Sequence, residues 1–148
     1  MRKICILMLL LLLISGCSAA KKEEVAVPET DPITEKEEVD VDLSLNSDTV
    51  IYASVINITD DPEGYMGKRI KLIGTYQKFY IEETDAYYHV CMVTDATACC
   101  SAGLEFKLLD EDAYPAVGRE IILEGVLDTY MEGKYEYVYL KDATCKVY

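Results

Sequence analysis

The chain of 148 residues is poor in imidazole, with His89 as its single histidine. A metalloprotease H-E-x-x-H helix is therefore excluded, and a catalytic thiol would have one base to draw on. Gly-rich phosphate loops and a G-x-S-x-G elbow are missing as well, so no enzyme activity is expected. Positive charge is scarce: 14 Lys and Arg stand against 27 Asp and Glu, a net charge of −13. Binding to phosphate backbones rests on the opposite balance, so nucleic acid is not an expected partner. Long apolar runs are also lacking. The run from Ile4 to Ile14 has 11 residues, short of the roughly 20 that cross a bilayer as a helix.

That short run is nevertheless informative. It follows Arg2 and Lys3 and fits the apolar stretch of an export signal, which is removed and takes no part in the fold. It ends in Ile14-Ser15-Gly16-Cys17: an aliphatic residue, two small residues and a cysteine. This resembles the bacterial lipobox, whose cysteine receives diacylglycerol. Residues 1–16 are thus expected to be a lipoprotein signal peptide, with Cys17 as the lipidation site. Two acyl chains suffice for durable anchoring, so the expected location is the extracytoplasmic face of the cell membrane, with the membrane a partner through the lipid.

Residues 18–48 carry ten acidic and three basic side chains and no aromatic residue. Such a segment cannot bury enough apolar surface to offset its ordering entropy, and its charges repel. Residues 17–48 are therefore expected to be a disordered acidic linker.

The remaining residues, 49–148, hold all 12 tyrosines and both phenylalanines and make one domain of ordinary size. Period-two runs rich in β-branched and aromatic residues dominate. Val50–Ile58 reads as a strand or a short helix. Asp60-Asp61-Pro62-Glu63 starts a helical turn, with acidic residues where the positive helix end favours them. Strands are expected over Arg69–Ile81, Ala86–Thr94, Gly103–Leu109, Glu120–Met131 and Tyr135–Leu140, with a last piece at Ala143–Tyr148. Gly67-Lys-Arg-Ile-Lys-Leu-Ile-Gly74 and Gly118-Arg-Glu-Ile-Ile-Leu-Glu-Gly125 share the pattern G-x-x-I-x-L-x-G. Its Ile, Leu and final Gly point to one strand face, and a glycine within a strand marks a bend or a close backbone approach. The expected fold is all-β, a five-stranded OB-like Greek-key barrel preceded by a short helical turn. The nine residues Asp110–Gly118 leave little room for the helix usual between the third and fourth strands.

Tyr65-x-Gly67-Lys68-x-Ile70-x-Leu72-x-Gly74, the segment Asp95-Ala96-Thr97-Ala98-Cys99-Cys100, and Gly103-Leu104-Glu105-Phe106 together resemble a group of exported bacterial proteins and lipoproteins with OB-like domains. They are also loosely similar to the extracytoplasmic domain of certain two-component permeases with a comparable adjacent-cysteine motif. The resemblance covers most of residues 60–145, and the DATACC segment is its specific part. It implies the fold and the location, and it points towards metal handling.

Four cysteines lie in the domain: Cys91, Cys99, Cys100 and Cys145. Outside the cytoplasm an even set suggests disulfides, and four thiols allow three complete pairings. A Cys99–Cys100 bridge is disfavoured, because neighbouring Cα atoms lie about 3.8 Å apart and relaxed disulfides need roughly 4.4–6.8 Å. A thiolate site for zinc or copper would draw on these four cysteines and His89, with Cys99 and Cys100 converging on a turn. Idle cysteines packed as small hydrophobes are the third reading. Tyr135, Tyr137 and Tyr139 share one face of the fifth strand, which is ordinary cross-strand packing or a face for a peptide, a glycan or a partner protein. The carboxylates of Glu82, Glu83 and Asp85, and of Asp110, Glu111 and Asp112, suit solvated turns. The leading expectation is a lipid-anchored binding module; the alternative is a thiol-based metal-binding or redox protein.

Overall fold

The computed structural model describes residues 38–148. The expected signal peptide, Cys17 and the linker up to residue 37 lie outside the described residues.

Five long strands close into a ring. They are β2 (Arg69–Ile81), β3 (Ala86–Thr94), β4 (Ser101–Leu108), β5 (Glu120–Glu132) and β6 (Tyr135–Val147). Round the barrel the order is β2-β3-β4-β6-β5, and β5 pairs back onto β2. All neighbours are antiparallel except β4 and β6, which run parallel. This is the expected OB-like all-β barrel. The strands form where period-two alternation runs longest. Ile70, Leu72 and Tyr76 in β2, Leu104 and Phe106 in β4, and Ile121, Leu123 and Leu127 in β5 are buried, while their neighbours in sequence face outward.

The two copies of G-x-x-I-x-L-x-G are the strands that close the ring. Gly67 and Gly118 enter them with φ of +74° and +85°, a left-handed backbone that glycine adopts without a Cβ penalty. Both then donate across the ladder, Gly67 N–H to Leu127 O at 2.9 Å and Gly118 N–H to Tyr76 O at 2.8 Å. The final glycines sit at corners. β2 pairs with β5 over Arg69–Thr75 and with β3 over Thr75–Ile81, so it bends beside Gly74. A Cβ there would lie 2.7 Å from both Cys91 Sγ and Met92 O. Gly125 sits where the β5–β6 register jumps from Glu124↔Thr144 to Val126↔Lys141. Asp142 takes φ +49° in that bulge, which carries β6 through as one strand where the polar Lys141-Asp142 step suggests two pieces.

Ahead of the barrel, Val50–Ile58 is helical, within α1 (Asp48–Asp60). Ile51, Val55 and Ile58 recur at helical spacing and are buried, against β3 and β4. The expected helical turn follows as a 3-10 helix over Pro62–Tyr65, with proline at its start. Only a second 3-10 turn, Glu111–Ala113, lies between β4 and β5.

The linker boundary needs correction, because the folded part begins before residue 49. Val41–Asp42 form β1, parallel to β2 at Ile70 and Lys71. Leu43 enters the core at 6 % exposure. The Arg69 amide donates to Asp40 Oδ2 at 2.7 Å. The apolar positions Val39, Val41 and Leu43 alternate as a strand does, but the partner strand lies some 29 residues on and no local turn announces it.

Candidate ligand cleft and cysteine loop

Beyond the closed ring, two hairpins project. The β2–β3 hairpin runs to Ile81↔Ala86 and turns through Asp85, at φ +51°. The β5–β6 hairpin runs to Glu132↔Tyr135 and turns at Gly133, at φ +61°. A hollow of about 320 Å³ is lined by Phe79 and Ile81 from β2, Tyr88 from β3, Glu105 from β4, Glu132 from β5 and Tyr137 from β6. In an OB barrel the face of the second and third strands, with the loops flanking it, is where oligonucleotides and oligosaccharides lie. Here those strands are β3 and β4, and the flanking loops are the two hairpin turns.

Tyrosine and carboxylate chemistry fills this cleft. The Tyr88 hydroxyl donates to Glu132 Oε1 at 2.5 Å, and the Tyr130 hydroxyl donates to Glu105 Oε2 at 2.8 Å. Tyr130 stacks on Tyr137, with ring centres 5.6 Å apart, and meets Tyr139 edge-on at 5.3 Å. Lys107 Nζ stands 4.3 Å from the Tyr130 ring centre and 5.0 Å from that of Tyr139. Burial pushes the Glu105 carboxyl above its ordinary range, against the opposing pull of Tyr130 and Lys107. Burial and the Glu105 carboxylate push the Tyr130 phenol up.

Of the expected tyrosine face, Tyr137 lines the hollow and Tyr139 packs beside it. Tyr135 stands at the hairpin tip with Lys134 over its ring. Reading β6 by itself misses Tyr88, Glu105, Tyr130 and Glu132. The usable signal was the alternation around buried Cys91, Leu104 and Leu127, which turns all four outward.

His89 stands away from the thiols. Its ring stacks on Tyr114 with centres 3.6 Å apart, and Nδ1 shares a 2.7 Å hydrogen bond with the Tyr76 hydroxyl. Burial, then Lys78, lowers its pKa. It borders a second hollow of about 370 Å³, with Lys78, Tyr87, Lys107, Leu108, Glu111 and Tyr114.

All four cysteines are free thiols, in different settings. Cys91 is fully buried, and burial pushes its thiol up to about 12. Cys145, opposite Leu123 on β6, is half-buried and also raised by burial. Cys99 and Cys100 are exposed on the β3–β4 loop. The five expected ligands therefore do not converge. Among the described residues, the group whose donor atoms all lie within 4.8 Å of one another is Asp95, Cys99 and Cys100. Asp95 is the member that sequence reasoning passed over, although it heads the DATACC segment.

The loop is tightly organised. Asp95 Oδ1 accepts from the Cys99 amide at 3.0 Å and the Cys100 amide at 3.3 Å. Oδ2 accepts from the Thr97 hydroxyl at 2.8 Å and the Cys99 thiol at 3.4 Å. These bonds, the Thr97 hydroxyl's foremost, lower the Asp95 carboxyl. The two sulfurs are 3.6 Å apart, and the Cys99 contact, burial and the Asp95 charge raise the Cys100 thiol. Tyr52 of α1 adjoins them; burial and then the charges of Cys100, Asp95 and Cys99 raise its phenol.

No family model and no curated protein matches the chain. Among solved structures it is similar to a Plasmodium falciparum SSB in complex with ssDNA. That chain is 13% identical, the match covers 54% of this chain and 93% of that one, and the TM-score is 0.34. One expectation is corrected on this finding. The acidic balance does not exclude nucleic acid as a partner, since a matched chain is in complex with ssDNA. Among the described residues no helix is long and apolar enough to cross a membrane.

Proposed function

We propose that this protein is a lipid-tethered binding module whose OB-like barrel holds a neutral glycan chain in the cleft between its two hairpins. The observation that carries the reading is the hollow lined by Phe79, Ile81, Tyr88, Glu105, Glu132 and Tyr137. Exposed aromatic faces cover the apolar faces of sugar rings, and Glu105 and Glu132 are acceptors for hydroxyl groups. Lipobox-like Ile14-Ser15-Gly16-Cys17 and the acidic segment after it support the tether, as does the resemblance to exported bacterial lipoproteins. Acylation at Cys17 would place the cleft outside the cell membrane.

Calorimetric titration of the full chain with neutral oligosaccharides, acidic and basic peptides and a single-stranded oligonucleotide tests the cleft. Saturable binding of an oligosaccharide, lost in Tyr137→Ala and weakened in Glu105→Gln, is the expected result. Binding of peptide or DNA alone, or glycan binding indifferent to both variants, would overturn it. Metabolic labelling with a fatty acid tests the tether: label is expected on the chain and absent from Cys17→Ser.

A further inference from the structure

The geometry points to a zinc-binding site formed by Asp95, Cys99 and Cys100 on the β3–β4 loop, with three protein ligands and a fourth position open. Two thiolates on tetrahedral zinc, each at about 2.3 Å, stand about 3.8 Å apart; Cys99 Sγ and Cys100 Sγ are 3.6 Å apart. A thiolate and a carboxylate oxygen at about 2.0 Å on the same ion stand about 3.5 Å apart; Cys99 Sγ and Asp95 Oδ2 are 3.4 Å apart. All three donor atoms lie within 4.8 Å of one another. Two ligand-to-ligand edges of a zinc tetrahedron, Cys99 to Cys100 and Cys99 to Asp95, are thus already near their length in the side-chain positions.

The donor set selects the metal. Two thiolates are too soft for magnesium or calcium, and a carboxylate is a poor ligand for monovalent copper, so the mixture favours zinc. Binding releases the two thiol protons as both sulfurs become thiolates. Asp95 divides its labour. Oδ1 holds the Cys99 and Cys100 amides, and Oδ2 turns towards the sulfurs. Cys99 and Cys100 are exposed, so the fourth position faces water or an incoming ligand, the arrangement of an open site. Cys91, Cys145 and His89 take no part.

Cobalt(II) titration of the reduced full chain, followed by displacement with zinc, tests the site. A single equivalent should give a sulfur-to-cobalt charge-transfer band that zinc abolishes. The band should vanish in Cys99→Ser and in Cys100→Ser and persist in Cys145→Ser. Asp95→Asn keeps an oxygen for the two amides and removes the carboxylate. It should therefore leave the fold intact by circular dichroism while weakening affinity at least about tenfold, a loss that even outer-shell changes cause. No band in reduced protein, a band surviving either serine variant, or one lost in Cys145→Ser would overturn the assignment. So would a chain lighter by two hydrogens that takes up no metal after isolation, with Cys99 and Cys100 joined to each other. Glycan titration of the same variants is independent of these outcomes.

Discussion

Gly125 of β5 stands directly opposite Ile70 of β2. The relation is reciprocal, because Gly74 of β2 stands opposite Ile121 of β5, with Leu72 facing Leu123 between them. The two copies of the glycine pattern therefore meet antiparallel, each presenting its large residue to the other's missing side chain. The barrel closes along this seam.

Alanine at Gly74 puts a methyl 2.7 Å from the Met92 carbonyl, which cannot swing away, and equally close to Cys91 Sγ. Overpacking of this kind costs about 1–3 kcal/mol. At Gly125 the nearest atoms, Leu140 Cβ, Ala143 Cβ and Lys141 O, are 3.0–3.1 Å away, so a small shift relieves the contact. Urea unfolding should place Gly74→Ala clearly below Gly125→Ala, and Gly125→Ala below the parent. The reverse order would contradict the corner at Gly74.

The four thiols of the metal-free domain should react in sequence. With its thiol near 12, Cys91 presents about one thiolate in ten thousand at pH 8, inside the core. Peptide mapping after alkylation should show Cys99 and Cys100 labelled first, half-buried Cys145 later, and Cys91 only once denaturant is added. Labelling of Cys91 alongside Cys99 in folded protein would contradict its placement.

Glu105 should oppose stability at neutral pH. Burial raises its folded-state pKa above the ordinary value of 4.5, so the folded chain holds this proton more tightly than the unfolded one. The favourable contribution is complete below the unfolded value and is lost as pH rises through the folded value. Glu105→Gln retains an oxygen to accept from Tyr130 and carries no charge to desolvate. Its urea midpoint should exceed the parent's at pH 7, with the gap closing as pH falls towards 4.5. A variant less stable at pH 7, or a gap independent of pH, would show that the charge is not the cost. A stabilising change that also weakens binding marks a residue retained for function.

The barrel was largely legible because its strands obey a two-residue rhythm and its corners are written in glycine. The G-x-x-I-x-L-x-G echo fixed which faces turn inward at Ile70, Leu72, Ile121 and Leu123. Val50–Ile58 was ambiguous as a short apolar run, and only burial of Ile51, Val55 and Ile58 on one side makes it a helix. β1 was not legible because the brief alternation of Val39, Val41 and Leu43 pairs with a strand far along the chain and no local turn announces it. The cleft was half legible. Strand alternation names Tyr137 and Tyr139; the β5–β6 hairpin sets Tyr130 and Glu132 beside that face, and the parallel β4–β6 pairing brings Glu105 to it. In the cysteine loop, thiols drew the eye to distant Cys91, Cys145 and His89. Asp95, four residues from Cys99, is brought in by the turn that its own carboxylate builds.

The most direct test of the cleft is the spectrum of ring-labelled tyrosines in the full chain during titration with chito- and malto-oligosaccharides. A glycan lying between the hairpins should shift Tyr88, Tyr130, Tyr137 and Tyr139 together to saturation, while buried Tyr76 and Tyr52 beside the cysteine loop stay put. Movement of Tyr52 with Tyr137 unmoved, or no movement of any ring, would contradict a glycan cleft.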